Sequence, residues 1–253
     1  MKLRTLILTG LTAFLFFLAW NAPAARLFGL LNERLPGEVH WGAMGIEGNW
    51  HHGGCRWLRV ENFVCRDLRW QLHPLALCTG DLTLTAAFTT TDDGAMQGTV
   101  TANGMGLEIT GLNARLPLAW LTAWQQSMGI RAQGTAEAEL SRLAIRKGRL
   151  TAAQGTIRLN DLEVDQRLRL GTLAVTLTTT ADGVEARIKD TGGPVQLQGL
   201  LTLTGDHGYT LRGFCAARAD DPNLKDALAL FGPPDEKGRI PFSQQGQIPP
   251  LRL

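Results

Sequence analysis

The segment GDLTLTAAFTTT, Gly80 to Thr91, alternates apolar and polar residues with a period of two. Leu82, Leu84, Ala86 and Phe88 fall on one face, and Asp81, Thr83 and Thr85 on the other. One apolar face at this period is the signature of a half-buried strand. The pattern returns in TLAVTLTTT (Leu173, Val175, Leu177), in VEARI (Val184, Ala186, Ile188) and in PVQLQGLLTLTG (Val195, Leu197, Leu201, Leu203). Strands of a buried parallel sheet read instead as continuous apolar runs, so the alternation specifies antiparallel pairing. TTDDG, Asn103-Gly104 and GDHG (Gly205 to Gly208) supply turn chemistry between the runs. The expected fold is mainly β: one long antiparallel sheet, curved like a half-barrel or taco, because a flat open sheet would leave its apolar face in water.

The period changes twice. In RLPLAWLTAWQQSMG, Leu118, Leu121, Gln125 and Met128 share one side of a helix, with Leu116, Trp120 and Trp124 beside them. Pro117 suits the first helical position and Gly129 the stop, so a helix is expected over Pro117–Met128. In DDPNLKDALALFGPP, Asp221 suits an N-cap. Leu224, Ala227, Leu228 and Phe231 form an apolar side, and Gly232 ends a helix over Pro222–Phe231. These two short helices are expected to plug the curved sheet. Residues 94–141 and 192–250 share an order of two strands, a helix and a strand, which reads as a weak internal duplication.

The N-terminus obeys a different logic. Lys2 and Arg4 precede an apolar run from Leu6 to Trp20. A bilayer core takes about 20 mostly apolar residues as a helix, and basic residues before such a run hold the short end in the cytoplasm. Two readings of the segment stand. Ala22-Pro23-Ala24 is an A-x-A cleavage pattern. Against it, the run exceeds the usual signal core of about 7–15 residues, and apolar character resumes past Arg26 in LFGLL, as a continuing helix would. The retained anchor is the better fit. It divides the chain into a membrane anchor with its extension, residues 1–31, and a β-rich domain outside the cytoplasm, residues 32–253.

Catalytic motifs are missing: there is no G-x-S-x-G, no H-E-x-x-H and no phosphate loop. His51 and His52 are adjacent, and adjacent side chains on a strand point to opposite faces, so they do not share a metal. The expectation is a protein that is not an enzyme and carries no cofactor or metal. Twenty-five basic residues against 23 acidic ones argue against a nucleic-acid partner. Trp41, Trp50, Trp57 and Trp70 interleave with Arg56, Arg59, Arg66 and Arg69; they read as core and interface anchors rather than a ligand face. Among four cysteines, Cys55, Cys65 and Cys78 lie close in the chain, so a local disulfide is expected in an oxidising compartment, with Cys215 reduced and buried.

Five sequence elements in order resemble protein N of the bacterial type II secretion system. Gly48, Trp50 and Gly53 answer a G-x-x-W-x-G element, with the Trp-to-Gly step one residue wider. Trp70, Leu72, Pro74, Leu75, Leu77 and Gly80 answer W-x-L-x-P-L followed by L-x-x-G. Gly192 and Gly193 open a G-G strand, and Tyr209 and Gly213 a Y-x-L-x-G strand. Gly232, Gly238 and Arg239 belong to a closing L-G-x-P-D-x-x-G-R element, with Phe231 where leucine is more usual. The resemblance implies a single-pass protein of the bacterial inner membrane, its C-terminal domain in the periplasm. That domain would be similar to the AsmA-like group of curved envelope sheets. It implies an accessory subunit that supports export of folded exoproteins, with other secretion subunits and the lipid around the anchor as partners and no catalytic residues. The alternative is an AsmA-like protein holding lipid acyl chains in an apolar groove. The four cysteines lie outside the family pattern.

Overall fold

The structure, a computed structural model, describes residues 17, 20–26, 28–29, 41–60, 63–121, 131–165, 168–204, 208–218, 224, 228 and 232–247. Thirteen strands lie among the described residues. The chain divides into two compact units, Met1–Thr91 and Asp92–Leu253.

In the first unit, β1 (Trp41–Gly48), β2 (His52–Val60), β3 (Phe63–Leu72) and β4 (Leu82–Thr90) each pair antiparallel with the next in the chain. The core gathers Ala24, Cys55 and Trp70, with Phe28, Ile46, Leu58, Leu68 and Leu84 packed around them. Alternation does not run unbroken here. In β2, Cys55 and Leu58 both turn inward while Arg56 and Trp57 between them face out. In β3, Cys65 and Leu68 do the same. The phase change coincides with left-handed backbone at Gly45 (φ 68) and Asp67 (φ 49), and with a register shift between Arg66 and Arg69. An extra residue of this kind bends a strand and strengthens its twist. Leu82, expected on the inner face, is 46 % exposed; the β3–β4 connection leaves it outside.

The second unit continues the meander through β5 (Ala95–Asn103), β6 (Gly106–Pro117), β7 (Ala132–Arg146), β8 (Arg149–Val164), β9 (Leu168–Thr179), β10 (Gly183–Gly192), β11 (Val195–Thr204), β12 (Gly208–Ala217) and β13 (Ile240–Gln247). Each pairs antiparallel with its chain neighbour. The Asn103-Gly104 hairpin forms as its sequence requires, with Asn103 Oδ1 accepting from the Met105 amide at 3.0 Å. Lys147 and Gly148, both at positive φ, turn β7 into β8. Val184 and Ala186 are buried and Ile188 partly so, and Val195 is fully buried, as the alternation specifies. The mainly antiparallel β expectation therefore holds.

The helices differ from expectation in detail. Pro117 is the last residue of β6, opposite Thr135, rather than the start of a helix. A strand end tolerates the missing amide as readily as a first helical turn does. A 3-10 turn follows at Leu118–Leu121 and drives Leu118 between Leu162 and Leu173. The rest of that predicted helix, residues 122–128, lies outside the described residues. Of the second, Leu224 and Leu228 are described: both are helical, one turn apart, and buried among Val195, Cys215 and Ile240. The remaining residues of Pro222–Phe231 lie outside the described set.

The N-terminal segment also departs from a single continuing helix. Phe17 and Trp20 are helical, but Asn21 is in a turn and its amide and Nδ2 both donate to the Phe17 carbonyl, at 3.0 and 2.9 Å. Pro23 forms an isolated bridge with Asn49, and helical residues resume at Ala24. Proline disfavours helical backbone in the residue before it, which accounts for the break. Among the described residues no helix is long and apolar enough to cross a membrane.

The cores predict their own sensitivity. Leu228→Ala empties a site 2 % exposed and should cost about 2–4 kcal/mol, lowering Tm by about 2–4 °C per kcal/mol. Leu200→Ala, at a site 39 % exposed, should stay within about 0.5 kcal/mol. Thermal unfolding of the two variants checks both.

Candidate functional site

Topology puts the β1–β2 turn and the β3–β4 connection at the same end of the first unit. An aromatic cluster is built there. The Trp20 ring lies 6.4 Å from Trp50, edge to face, and 4.8 Å from His51; His51 in turn lies 5.4 Å from Trp50. Trp70 Nε1 donates to the Trp50 carbonyl at 3.2 Å, and Phe28 leans on the Trp70 ring at 5.9 Å. The Trp50 amide reaches the Ala22 carbonyl at 3.3 Å. Together these contacts clamp Trp20, Ala22 and Phe28 onto the sheet. His52 is exposed while His51 is ring-stacked, so the pair presents no joint ligand set. Among the described residues, no group of three or more His, Cys, Asp or Glu is placed to hold a metal.

The residues singled out by motif serve backbone geometry. Trp70 stands directly opposite Gly53, and a Cβ on Gly53 would meet the indole at 2.5 Å. The same device appears twice more. Phe242 covers Gly213 on the neighbouring strand, and the Tyr209 ring covers Gly246. An aromatic ring over a cross-strand glycine fills the space a side chain would occupy and holds the register. Phe242 and Gly246 were not singled out from sequence; their tie to Gly213 and Tyr209 exists only through pairing. Gly48 (φ 85) turns β1 toward β2, with Trp50 in that turn. Leu72, opposite Leu84, ends β3; Pro74 and Leu75 open the 3-10 turn and Gly80 closes it in left-handed backbone. Gly192 and Gly193 join β10 to β11.

That last junction holds a charge pair the sequence reading missed. Asp190 is 5 % exposed, accepts from the Leu197 amide at 2.9 Å, and bonds the Arg218 guanidinium. The two are 28 residues apart in the chain, so no local pattern announces them. Gly232 and Gly238 flank the closing turn, where Asp235 organises the backbone. Its Oδ1 accepts from the Lys237 and Arg239 amides at 2.9 and 2.8 Å, and its Oδ2 from Arg239 Nε at 3.0 Å. The Arg239 guanidinium lies 5.0 Å over the Phe214 ring. The Arg239 amide, its side chain and the Lys237 amide hold the Asp235 carboxyl below its usual value.

All four cysteines carry free thiols. Cys55 stands opposite Leu68 and Cys65 opposite Leu58, so the two are not a direct cross-strand pair, and Cys78 sits exposed on the 3-10 turn. The disulfide expected among them is not formed here. Burial, and then the neighbouring Cys55, push the Cys65 thiol up. Burial raises the Cys215 thiol likewise. Trp57 is 39 % exposed with the Arg66 guanidinium 4.4 Å over its ring. A hollow of ≈ 170 Å³ lined by Glu47, Arg56, Asp67 and Arg69 among others is too polar for an acyl chain.

A family model described as type II secretion system (T2SS), protein N, matches residues 40–243, from the threshold of β1 to within β13. The chain belongs to that family. One relative, the type II secretion system protein N of Vibrio cholerae serotype O1 (strain ATCC 39315 / El Tor Inaba N16961), is 26 % identical over 215 residues. The alignment covers 81 % of this chain and 84 % of the relative. No solved structure matches. The sequence elements that carried the resemblance thus coincide with turns and glycine–aromatic pairs.

Two outcomes follow from these geometries. Arg218→Met leaves the Asp190 carboxylate buried with the Leu197 amide as its remaining described partner. It should destabilise by about 2–3 kcal/mol, short of the cost in a fully enclosed pair because Arg218 is half open to water. Asp190→Asn added to it should recover part of the loss in thermal melts. For Asp235 the folded pKa lies below the unfolded one. Its contribution is present above the unfolded value, about 3.9, and is lost as pH falls through the lower folded value. Carboxyl NMR should titrate Asp235 below the usual carboxylate midpoint, and Arg239→Ala should move it back up.

Proposed function

We propose that this chain is an accessory subunit of the type II secretion system. Its N-terminal segment holds it at the inner membrane, and it works in the periplasm by protein contacts. Family membership supports the secretion role. The observation that carries the anchored reading is Ala24: it is 1 % exposed in the core of the first unit, beside Cys55 and Trp70. Cleavage after Ala24 would remove a core residue and unclamp Trp20 from Trp50 and His51. A segment that completes a core is one the mature protein keeps.

The contact mode follows from the sheet. Among the described residues β13 pairs on one side only, with β12, and five of its residues in succession, Ser243 to Gln247, are exposed. A polar edge strand offers backbone donors and acceptors to an added strand from a partner. Such a surface needs no reactive side chain, so the chain acts as a binding protein rather than an enzyme.

Complementation of a strain lacking the gene tests this reading. Wild-type protein should restore exoprotein secretion, remain in membranes after alkaline carbonate and keep residues before Ala25 on N-terminal sequencing. Gln244→Lys with Gln245→Lys, which charges the edge without touching a core, should accumulate to wild-type level and lower secretion several-fold. A mature N-terminus at Ala25 refutes the anchor; full secretion by the lysine variant refutes the edge.

A further inference from the structure

The connection between β3 and β4 pairs its backbone polar groups internally while turning its apolar side chains outward. No residue of the 3-10 turn Pro74–Thr79 is buried. Leu75 is 83 % exposed, Leu77 47 %, and Leu82 just beyond it 46 %. Meanwhile the turn's polar groups find partners within it. The Gly80 amide donates to the Leu77 carbonyl at 3.1 Å, the Asp81 amide to the Ala76 carbonyl at 3.0 Å, and Thr79 Oγ1 to that same carbonyl at 2.7 Å. A segment with its backbone satisfied internally can leave water at low cost. Three outward leucines within eight residues would gain by doing so.

The location names what receives them. This turn lies at the same end of the first unit as the aromatic clamp. The Leu72 amide donates to the His51 carbonyl at 2.6 Å, and the His51 ring stacks on Trp20 at 4.8 Å. Trp20 ends the apolar run that begins at Leu6. Phe17, less than one helical turn earlier, is 65 % exposed. Trp20 and Trp50 are also of the residue type enriched where a spanning segment meets the headgroups. If the run from Leu6 spans the bilayer, the membrane surface therefore meets this end of the sheet.

We propose that Leu75, Leu77 and Leu82 insert into the lipid surface from which the N-terminal run emerges, giving the first unit a second membrane attachment. The apolar run supplies the first attachment and the leucine turn the second, so the sheet is held at a set inclination instead of swinging on a tether. A spanning segment confines the first unit to one membrane surface, which raises the effective concentration at which the turn meets lipid. The inference rests on the retained anchor proposed above.

The test uses the full chain reconstituted into vesicles of phosphatidylethanolamine and phosphatidylglycerol. Cys78, the exposed one of the four thiols, carries an environment-sensitive nitrobenzoxadiazole label. Emission should be blue-shifted and quenched by lipids bearing a nitroxide near the headgroup, more than by lipids bearing it at the chain end. Leu75→Ser with Leu77→Ser should reduce the shallow quenching about ten-fold or more, with Tm and carbonate resistance unchanged. Leu75→Ala with Leu77→Ala, which keeps the helical turn, should move it the same way by less. Aqueous emission without quenching, from a chain that still resists carbonate, overturns the inference and leaves the anchor standing. Unaltered quenching in the serine variant overturns it too. Extraction of the wild-type chain by carbonate removes the anchor itself and the inference with it.

Discussion

In both units the strands pair with their neighbours in the chain, and most of the structure follows from that restriction. A meander pairs each strand through a short connection, so one face of successive strands stays on one side throughout. Apolar residues at every second position then assemble a continuous inner face without long-range crossings. The remaining problem is how to bury that face. In the first unit it meets Ala24 and Phe28 from the N-terminal segment. In the second it meets Leu118 from the 3-10 turn, and Leu224 and Leu228.

Bulges do the second half of this work. Left-handed residues at Gly45 and Asp67 lie on β1 and β3, the two strands that flank β2 in the first unit. In the second, Asp161 and Gly171 play the same part on β8 and β9, where the register shifts. Where two residues oppose one, the strand bends and its side chains change face. A Cβ on Gly171 would meet the Gly192 carbonyl at 2.6 Å, so the strands there pass too close for any larger residue. Family motifs that look like scattered glycines and aromatics are thereby explained as the places where the sheet is bent or its register pinned.

Much of this was legible in the chain. Val184, Ala186 and Val195 face inward because their spacing is two and their neighbours are polar. Asn103-Gly104 turns because its residue types favour that turn. The misses have a common cause. Leu82 continues an alternating run yet stands outside, because as the first residue of β4 it lies beyond the register with β3, which ends at Leu72 opposite Leu84. Pro117 has the composition of a helix start and ends a strand, because Thr135 lies across from it. Cys55 and Leu58 both face inward, against strict alternation, because the left-handed residues Gly45 and Asp67 on the flanking strands interrupt the pairing opposite Arg56. In each case a partner distant in sequence overrode a local preference.

Local spacing determined the class of this protein: antiparallel strands, their inner residues, most of their turns, and an N-terminal run fit for a membrane. Tertiary structure alone decided which distant residues meet. Asp190 finds Arg218, Phe242 covers Gly213, and Ala24 completes the core of the first unit. It also left Leu75, Leu77 and Leu82 in the open beside the end of the apolar run. The physical reason is the range of the forces. Side-chain period and turn preference act over two to four residues and can be read along the chain. Pairing register and burial depend on whichever strand lies alongside, and only the folded sheet specifies that.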